Sequence, residues 1–219
     1  MKLKIYLFAI LLFFCLRSWA QNFAKEKTIA LNSDFSLHLS KGEDFGNFST
    51  YSTLFVFHAG KRVFSDTTRE YEFGDRLYPI INKLNTNSYE ILLEVNDRPN
   101  KNYLMHIMVS NNKIVKKSKL PTFIARAADL AGNKTLEYAG FWGYSEIWGD
   151  HNELTDYNPI LYYKVTKDGI KIDTVLTIQK NTAIYGKFRG FEDDTNKPVP
   201  VTTAKKFAAE IKRIESLTK

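Results

Sequence analysis

The chain has 219 residues, 31 of them Lys or Arg against 24 Asp or Glu, with a net charge of +7 and a single cysteine. One cysteine excludes an internal disulfide framework and a thiolate zinc site. No basic run is interleaved with aromatics in the way a single-stranded nucleic acid groove requires. What remains is the size of one domain, held by its core, by repeats closing on one another, or by a bound ion.

Residues 1–20 read as a signal peptide. Lys2 and Lys4 form a basic start, and Ile5 to Leu16 is an apolar run too short to cross a bilayer comfortably. Ser18-Trp19-Ala20 puts small residues where a signal peptidase reads, so cleavage is expected before Gln21. A lipoprotein signal would carry a small residue ahead of its cysteine, whereas Phe14 precedes Cys15. The expected address is periplasmic or secreted, with no membrane span after cleavage. Lys2, Lys4 and Arg17 leave with the leader and no acid does, so the surplus falls from +7 to +4.

From there the pattern is that of short strands. Thr28 to Leu31 and Phe35 to Leu39 come first, the second with Phe35, Leu37 and Leu39 in alternation. Three hairpins follow. Thr53 to His58 and Lys61 to Ser65 flank Ala59-Gly60. Tyr103 to Val109 and Lys113 to Lys117 flank Asn111-Asn112. Ile160 to Thr166 and Ile170 to Leu176 flank Asp168-Gly169. Further strands are expected at Glu90 to Val95, Phe123 to Ala128, Glu137 to Trp142 and Ala183 to Phe191.

Acidic loops recur as well. Asp97 to Lys101, Asp129 to Glu137 and Asp193 to Lys197 each follow a strand. Gly60, Asn112 and Gly169 fall at the spacing of four-stranded propeller blades. The expectation is an all-β fold, a small propeller-like repeat of antiparallel four-stranded units over 21–201, with a β-sandwich as the alternative. At the end, 202–219 should add a helix packed on the same domain. Pro198 and Pro200 stop the last strand, Thr202 or Thr203 can cap, and Phe207, Ile211, Ile214 and Leu217 form one apolar stripe.

The loop Asp129 to Glu137 carries the clearest chemical signal. A hard cation takes several oxygens from alternate positions of a tight loop. Asp129, Asn133, the Thr135 carbonyl and Glu137 could supply them, with Gly132 allowing the turn. The other reading is an Asx turn in which Asp129 caps its own loop. The segment resembles the Asp-x-Asp-Gly-Asn/Asp-x-x-x-Glu loops of FG-GAP and integrin-α-type propeller repeats, and the resemblance implies calcium. Ala131 stands at the third ligand position. More loosely, the leader, the lack of cysteines after it and the Ala125-to-Gly140 neighbourhood resemble periplasmic calcium-binding β-propeller inhibitors of lysozyme-like hydrolases.

The segment Phe141 to Tyr157 interrupts the repeat. Trp142, Tyr144 and Trp148 stand beside glycines, with Asp150 and His151 following. Such a loop can anchor a protein partner, form a platform for a sugar ring, or serve packing alone. Catalysis has little in its favour: four scattered histidines, no nucleophile elbow and no phosphate-cradling loop. Glu146, Asp150 and Glu153 offer no more than any acidic loop. The sequence therefore points to an exported, non-catalytic binding protein. Its expected partner is a cell-envelope protein such as a peptidoglycan hydrolase, or else a glycan.

Overall fold

The structure is a computed structural model and describes residues 25–74, 77–111 and 113–218. The signal peptide, its cleavage site and the turn residue Asn112 lie outside the described residues. Nine strands form the main sheet: β1 (Lys25–Ala30), β2 (Phe35–Asp44), β3 (Phe48–His58), β4 (Lys61–Asp66), β5 (Glu70–Gly74), β6 (Ile80–Asn85), β7 (Ser88–Asn96), β8 (Tyr103–Ser110) and β9 (Lys113–Pro121). Their order is β1-β2-β3-β5-β7-β8-β9, with β4 also on β3 and β6 also on β7. All pairs are antiparallel. The long strands β3 and β7 each carry two shorter partners along one edge. Tyr51 on β3 faces β5 and Val56 faces β4; Leu92 on β7 faces β6 and Val95 faces β5.

One face of this sheet is apolar at every second residue: Phe35, Leu37, Leu39, then Tyr89, Ile91, Leu93, Val95, then Tyr103, Met105, Ile107, Val109. The sheet curls around this cluster without closing. The Lys117 ammonium on β9 lies 5.0 Å from the centre of the Phe64 ring on β4, although four strands separate them in the sheet order. Register shifts help the bend, because a bulge raises the local twist. Val63 is the extra residue between the Val56–Phe64 and Phe57–Arg62 pairs, and Val115 between Met108–Lys116 and Val109–Ile114.

The opposite face of β7 and β8 packs on a second sheet made of β10 (Glu137–Gly140), β13 (Leu161–Thr166) and β14 (Gly169–Ile172). Leu92, Leu104 and Ile80 meet Tyr138, Leu161, Tyr163 and Ile170 there. The far side of that sheet, Ala139 and Tyr162 with Ile160, is covered by α1 (Thr174–Tyr185) and α2 (Thr202–Ser216) through Leu176, Ile184 and Ile214. Being buried on both faces, Ile160 to Tyr163 read as an unbroken apolar run, which Lys164 ends. A small third sheet, β11 (Ile147–Trp148), β12 (Leu154–Tyr157) and β15 (Asp194–Pro200), completes the chain. Among the described residues no helix is long and apolar enough to cross a membrane.

Over the described residues the fold is thus mostly antiparallel β, with layered sheets and two helices. The four-stranded blades expected from the hairpin spacing are not what the strands make: nine lie in one open sheet and three in each of the others. Turn chemistry fixes where a hairpin bends. It does not fix how many hairpins join one sheet.

Three strand expectations give way to other structure. The third hairpin turns at Lys167-Asp168, with Gly169 already paired to Thr166 at φ +103°, and its second strand stops at Ile172. From Thr174 the chain is helical, capped by the Asp173 carboxylate on the Leu176 N–H at 2.9 Å. β-branched residues make this stretch look like strand, but tertiary bonds decide otherwise. Thr177 Oγ1 accepts from the Tyr162 N–H at 3.0 Å, and Asn181 holds both the N–H and the carbonyl of Ile160. The helix thereby continues, along β13, the bonding that β14 leaves off. The expected strand over 183–191 is the end of this helix, its Gly186 cap at φ +79° and an irregular segment. Between 123 and 128 only two isolated bridges form, Phe123 to Gly140 and Ala128 to Glu137.

The terminal helix is where the spacing predicts it, with Phe207, Ile211 and Ile214 on the core and Leu217 exposed. Pro198 lies inside β15, which an edge strand tolerates, and Pro200 is its last residue.

Candidate functional site

In the Asp129 loop the carboxylate is turned on its own backbone. Asp129 Oδ1 accepts from the Asn133 N–H at 2.9 Å and Oδ2 from the Lys134 N–H at 2.8 Å; these bonds hold the group below the usual carboxylate range. Asn133 Oδ1 accepts from the Thr135 N–H. Glu137, on β10, is fully buried. Its Oε2 accepts from the Leu130 N–H at 2.9 Å, while its Oε1 has no hydrogen-bond partner among the described residues. Burial pushes this carboxyl up. Among the described residues no three His, Cys, Asp or Glu side chains converge as a metal ion would need.

The aromatic segment divides. Trp142 packs partly buried against both faces of the main sheet's cores, whereas Tyr144 is 67% exposed. Trp148 is half-buried on β11, and Asp150 and His151 are exposed at the β11–β12 turn, where the His151 N–H donates to Glu153 Oε2. Trp142 and Tyr144 line cavities. Trp148, Asp150 and His151 line neither of the two cavities described next.

The larger cavity, about 640 Å³, lies over the ends of β5 and β7. Glu72 on β5 and Glu94 on β7 stand directly opposite each other, an arrangement that two like charges disfavour. Neighbouring donors relieve it. The Asn102 amide donates to Glu72 Oε2 at 3.2 Å and to Glu94 Oε1 at 3.1 Å. Arg98 forks onto Glu72 at 2.6 and 3.2 Å while lying over the Phe48 ring. The wall is therefore polar, charged and preorganised.

A second cavity of about 400 Å³ adjoins it, and Lys101 and Tyr144 belong to both. Lys101 donates to Thr122 Oγ1 and, at 2.8 Å, to the Phe141 carbonyl, and its ammonium sits 4.3 Å from the centre of the Phe141 ring. Burial lowers this amine to about 8. Both hydrogen bonds go to neutral oxygens, so the charge is held by dipoles, a π face and the field of nearby Glu94. Phe141 in turn meets Phe207 of α2 edge-on, which fixes the lysine's seat to the helical layer.

A different polar group is sealed between the sheets. Glu90 Oε1 accepts from His106 Nε2 at 2.9 Å and from the Ile170 N–H at 2.7 Å; Asn82 donates to Oε2 at 3.0 Å. Ser118 meets His106 Nδ1 at 3.2 Å. The Ser–His–Glu order has the look of a relay, but Glu90 and His106 are buried and the carboxylate is spent on holding β14. Gly169 makes the approach possible: a Cβ there would stand 2.8 Å from Glu90 Oε1. This group fastens the two sheets together.

Sequence reading reached Tyr144 and Trp142 of the cavity wall and passed over Glu72, Glu94, Arg98 and Asn102. Their signal was present as charges set into otherwise apolar alternation, but nothing in one sequence says that β5 neighbours β7. Comparison with known proteins finds no matching family model, no similar curated protein and no similar solved structure.

Proposed function

We propose that this is an exported, non-catalytic binding protein whose site is the pair of adjoining cavities around Lys101 and Tyr144, and whose ligand is a hydroxyl-rich chain such as a glycan strand. One observation carries the reading. A cleft of about 640 Å³ has a wall of mutually fixed donors and acceptors, Glu72, Arg98 and Asn102, and an exposed aromatic ring, Tyr144, where it meets its neighbour. Fixed polar groups beside an aromatic face suit a sugar, which offers hydroxyls on its edge and C–H groups on its face. The carboxylates serve as acceptors, tied into the wall by Arg98 and Asn102.

Calorimetric titration with glycan fragments, muropeptides and chitooligosaccharides, tests this. The expected result is saturable binding that Tyr144→Ala weakens about tenfold, the worth of one stacked ring. Fragments that bind equally to the Ala variant would remove the site.

A second reading, capture of an envelope protein such as a peptidoglycan hydrolase, is favoured by the β11–β12 hairpin. There Ile147 is 54% exposed beside the half-buried Trp148 and next to the cleft. Stoichiometric inhibition of a lysozyme-type enzyme, abolished by Trp148→Ala with Asp150→Ala, would support it. Inhibition that survives both changes would exclude this hairpin.

A further inference from the structure

The two outer strands that approach each other where the main sheet curls are unlike the rest of the surface. β4 and β9 together hold six cations, Lys61, Arg62, Lys113, Lys116, Lys117 and Lys119, and one acid, Asp66. Asp66 is buried and engaged by Arg69 at 2.6 Å, so it does not offset them at the surface. All six cations are exposed, and none forms an ion pair with a described residue. The two strands are brought side by side by the Lys117–Phe64 contact. The Asn32 amide reaches Tyr89 OH at 3.4 Å and the Ala59 N–H reaches the Asp34 carbonyl at 2.7 Å, which sets the Lys61 end of β4 and the Lys113 end of β9 at the same end of the curled sheet.

Lysine on an edge strand is a general guard against pairing with another sheet. That accounts for the charge but not for the valines. Val63 and Val115, the two bulge residues, are 45% and 60% exposed, one on each of these strands. Each protrudes where its own strand is already irregular. Exposed cations around short exposed aliphatic side chains match an interface of charged headgroups over an apolar layer, although Arg62, Lys117 and Lys119 also lie over the Phe55, Phe64 and Tyr103 rings.

We infer that the β4 and β9 edges form a docking surface for an anionic lipid bilayer, with the lysines and Arg62 on the headgroups and Val63 and Val115 at the acyl boundary. The attachment is peripheral and reversible. It needs no helix to enter the membrane, and of its six cations only Lys119 lines the cavities around Lys101, in the smaller of the two.

Sedimentation with vesicles tests the inference, using the purified exported protein and two compositions, pure phosphatidylcholine and phosphatidylcholine with about a third phosphatidylglycerol. Binding to the second only, weakening as salt is raised, is the expected result. The double variant K113E/K116E, which spares the Lys117–Phe64 contact, should lose at least about tenfold in partitioning, and V63S/V115S several-fold, with unchanged melting temperatures. If K113E/K116E does not fold, K61E/R62E on β4 makes the same test. Equal binding to both vesicles, or charge variants that bind as well as the parent, overturns the inference. So does full competition by dextran sulfate together with an unaffected V63S/V115S variant, which would assign the patch to polyanions rather than to a bilayer.

Discussion

Glu90 and Glu94 lie four residues apart on the same face of β7 and meet opposite ends. Glu90 is fully buried under the β13–β14 hairpin, with His106, Asn82 and the Ile170 N–H around it. Glu94 stands half-buried in the wall of a cavity of about 640 Å³, sharing Asn102 with Glu72. The residue type, strand and face are the same, and only the extent of the covering sheet differs. A carboxylate under cover fastens two layers. One just beyond the cover faces the cavity.

The comparison predicts unequal costs of removal. Glu90→Ala strips His106, Asn82 and the Ile170 N–H of a shared acceptor in a dry place and should cost about 3–5 kcal/mol of unfolding free energy. Gly169→Val attacks the same joint from the other side, through a Cβ with no room and a φ of +103°, and should be comparably damaging. Glu72→Ala breaks a pair whose Arg98 side chain is 49% exposed, and should cost under about 1 kcal/mol. Urea denaturation of the three variants decides; equal losses at Glu90 and Glu72 would dissolve the distinction.

The two regions should also answer pH, in two separate windows. Burial works to raise the Glu90 carboxyl, but the His106 ring, the Ile170 N–H and the Asn82 amide together hold it below its usual value. Asp66 behaves likewise: burial opposes its charge, yet Thr68, Tyr71 and Arg69 bring it to about 2. Groups depressed in the fold stabilise it above their unfolded pKa, near 4, and lose that contribution as pH falls through the folded value. Asp66→Asn should therefore cost about 2 kcal/mol at pH 7 and almost nothing at pH 2.

Lys101 gives a second rise of stability with pH, in a higher window, because at pH 7 its buried charge costs stability. Burial lowers it to about 8 from 10.5, so the folded chain sheds its proton before the unfolded chain does. Stability should rise between pH 8 and about 10.5 by about 2–3 kcal/mol relative to Lys101→Met. A flat difference between the two proteins over that window would mean that the amine is solvated.

How much of this was legible follows the same divide. The hairpins at Ala59-Gly60 and Asn111 were readable because the turn residues carry the geometry, with Ala59, Gly60 and Asn111 all at positive φ. The amphipathic stripe of α2 was readable for the same local reason. The partners of β3 and β7 were not, since a strand's alternation is blind to which neighbours share its edges, and a regular turn spacing then suggested blades. Helix α1 was hidden by its β-branched residues, whose place is decided by bonds to β13. The cleft was hidden most fully, because Glu72, Glu94, Arg98 and Asn102 come from three chain segments.

The smallest expected effect concerns the acidic loop. Asp129 already has the Asn133 and Lys134 N–H groups on its two oxygens, so millimolar calcium should move the melting temperature by no more than about a degree. A rise of several degrees would show a cation reaching the unpartnered Glu137 Oε1.

The central claim is that the Lys101–Tyr144 cleft is where this protein binds, and backbone chemical-shift mapping during glycan titration tests it most directly. Saturable shifts gathered on Glu72, Arg98, Lys101, Asn102 and Tyr144, with the Glu90–His106 joint unmoved, are the predicted result. Shifts confined to the β11–β12 hairpin, or none with any fragment, would contradict it.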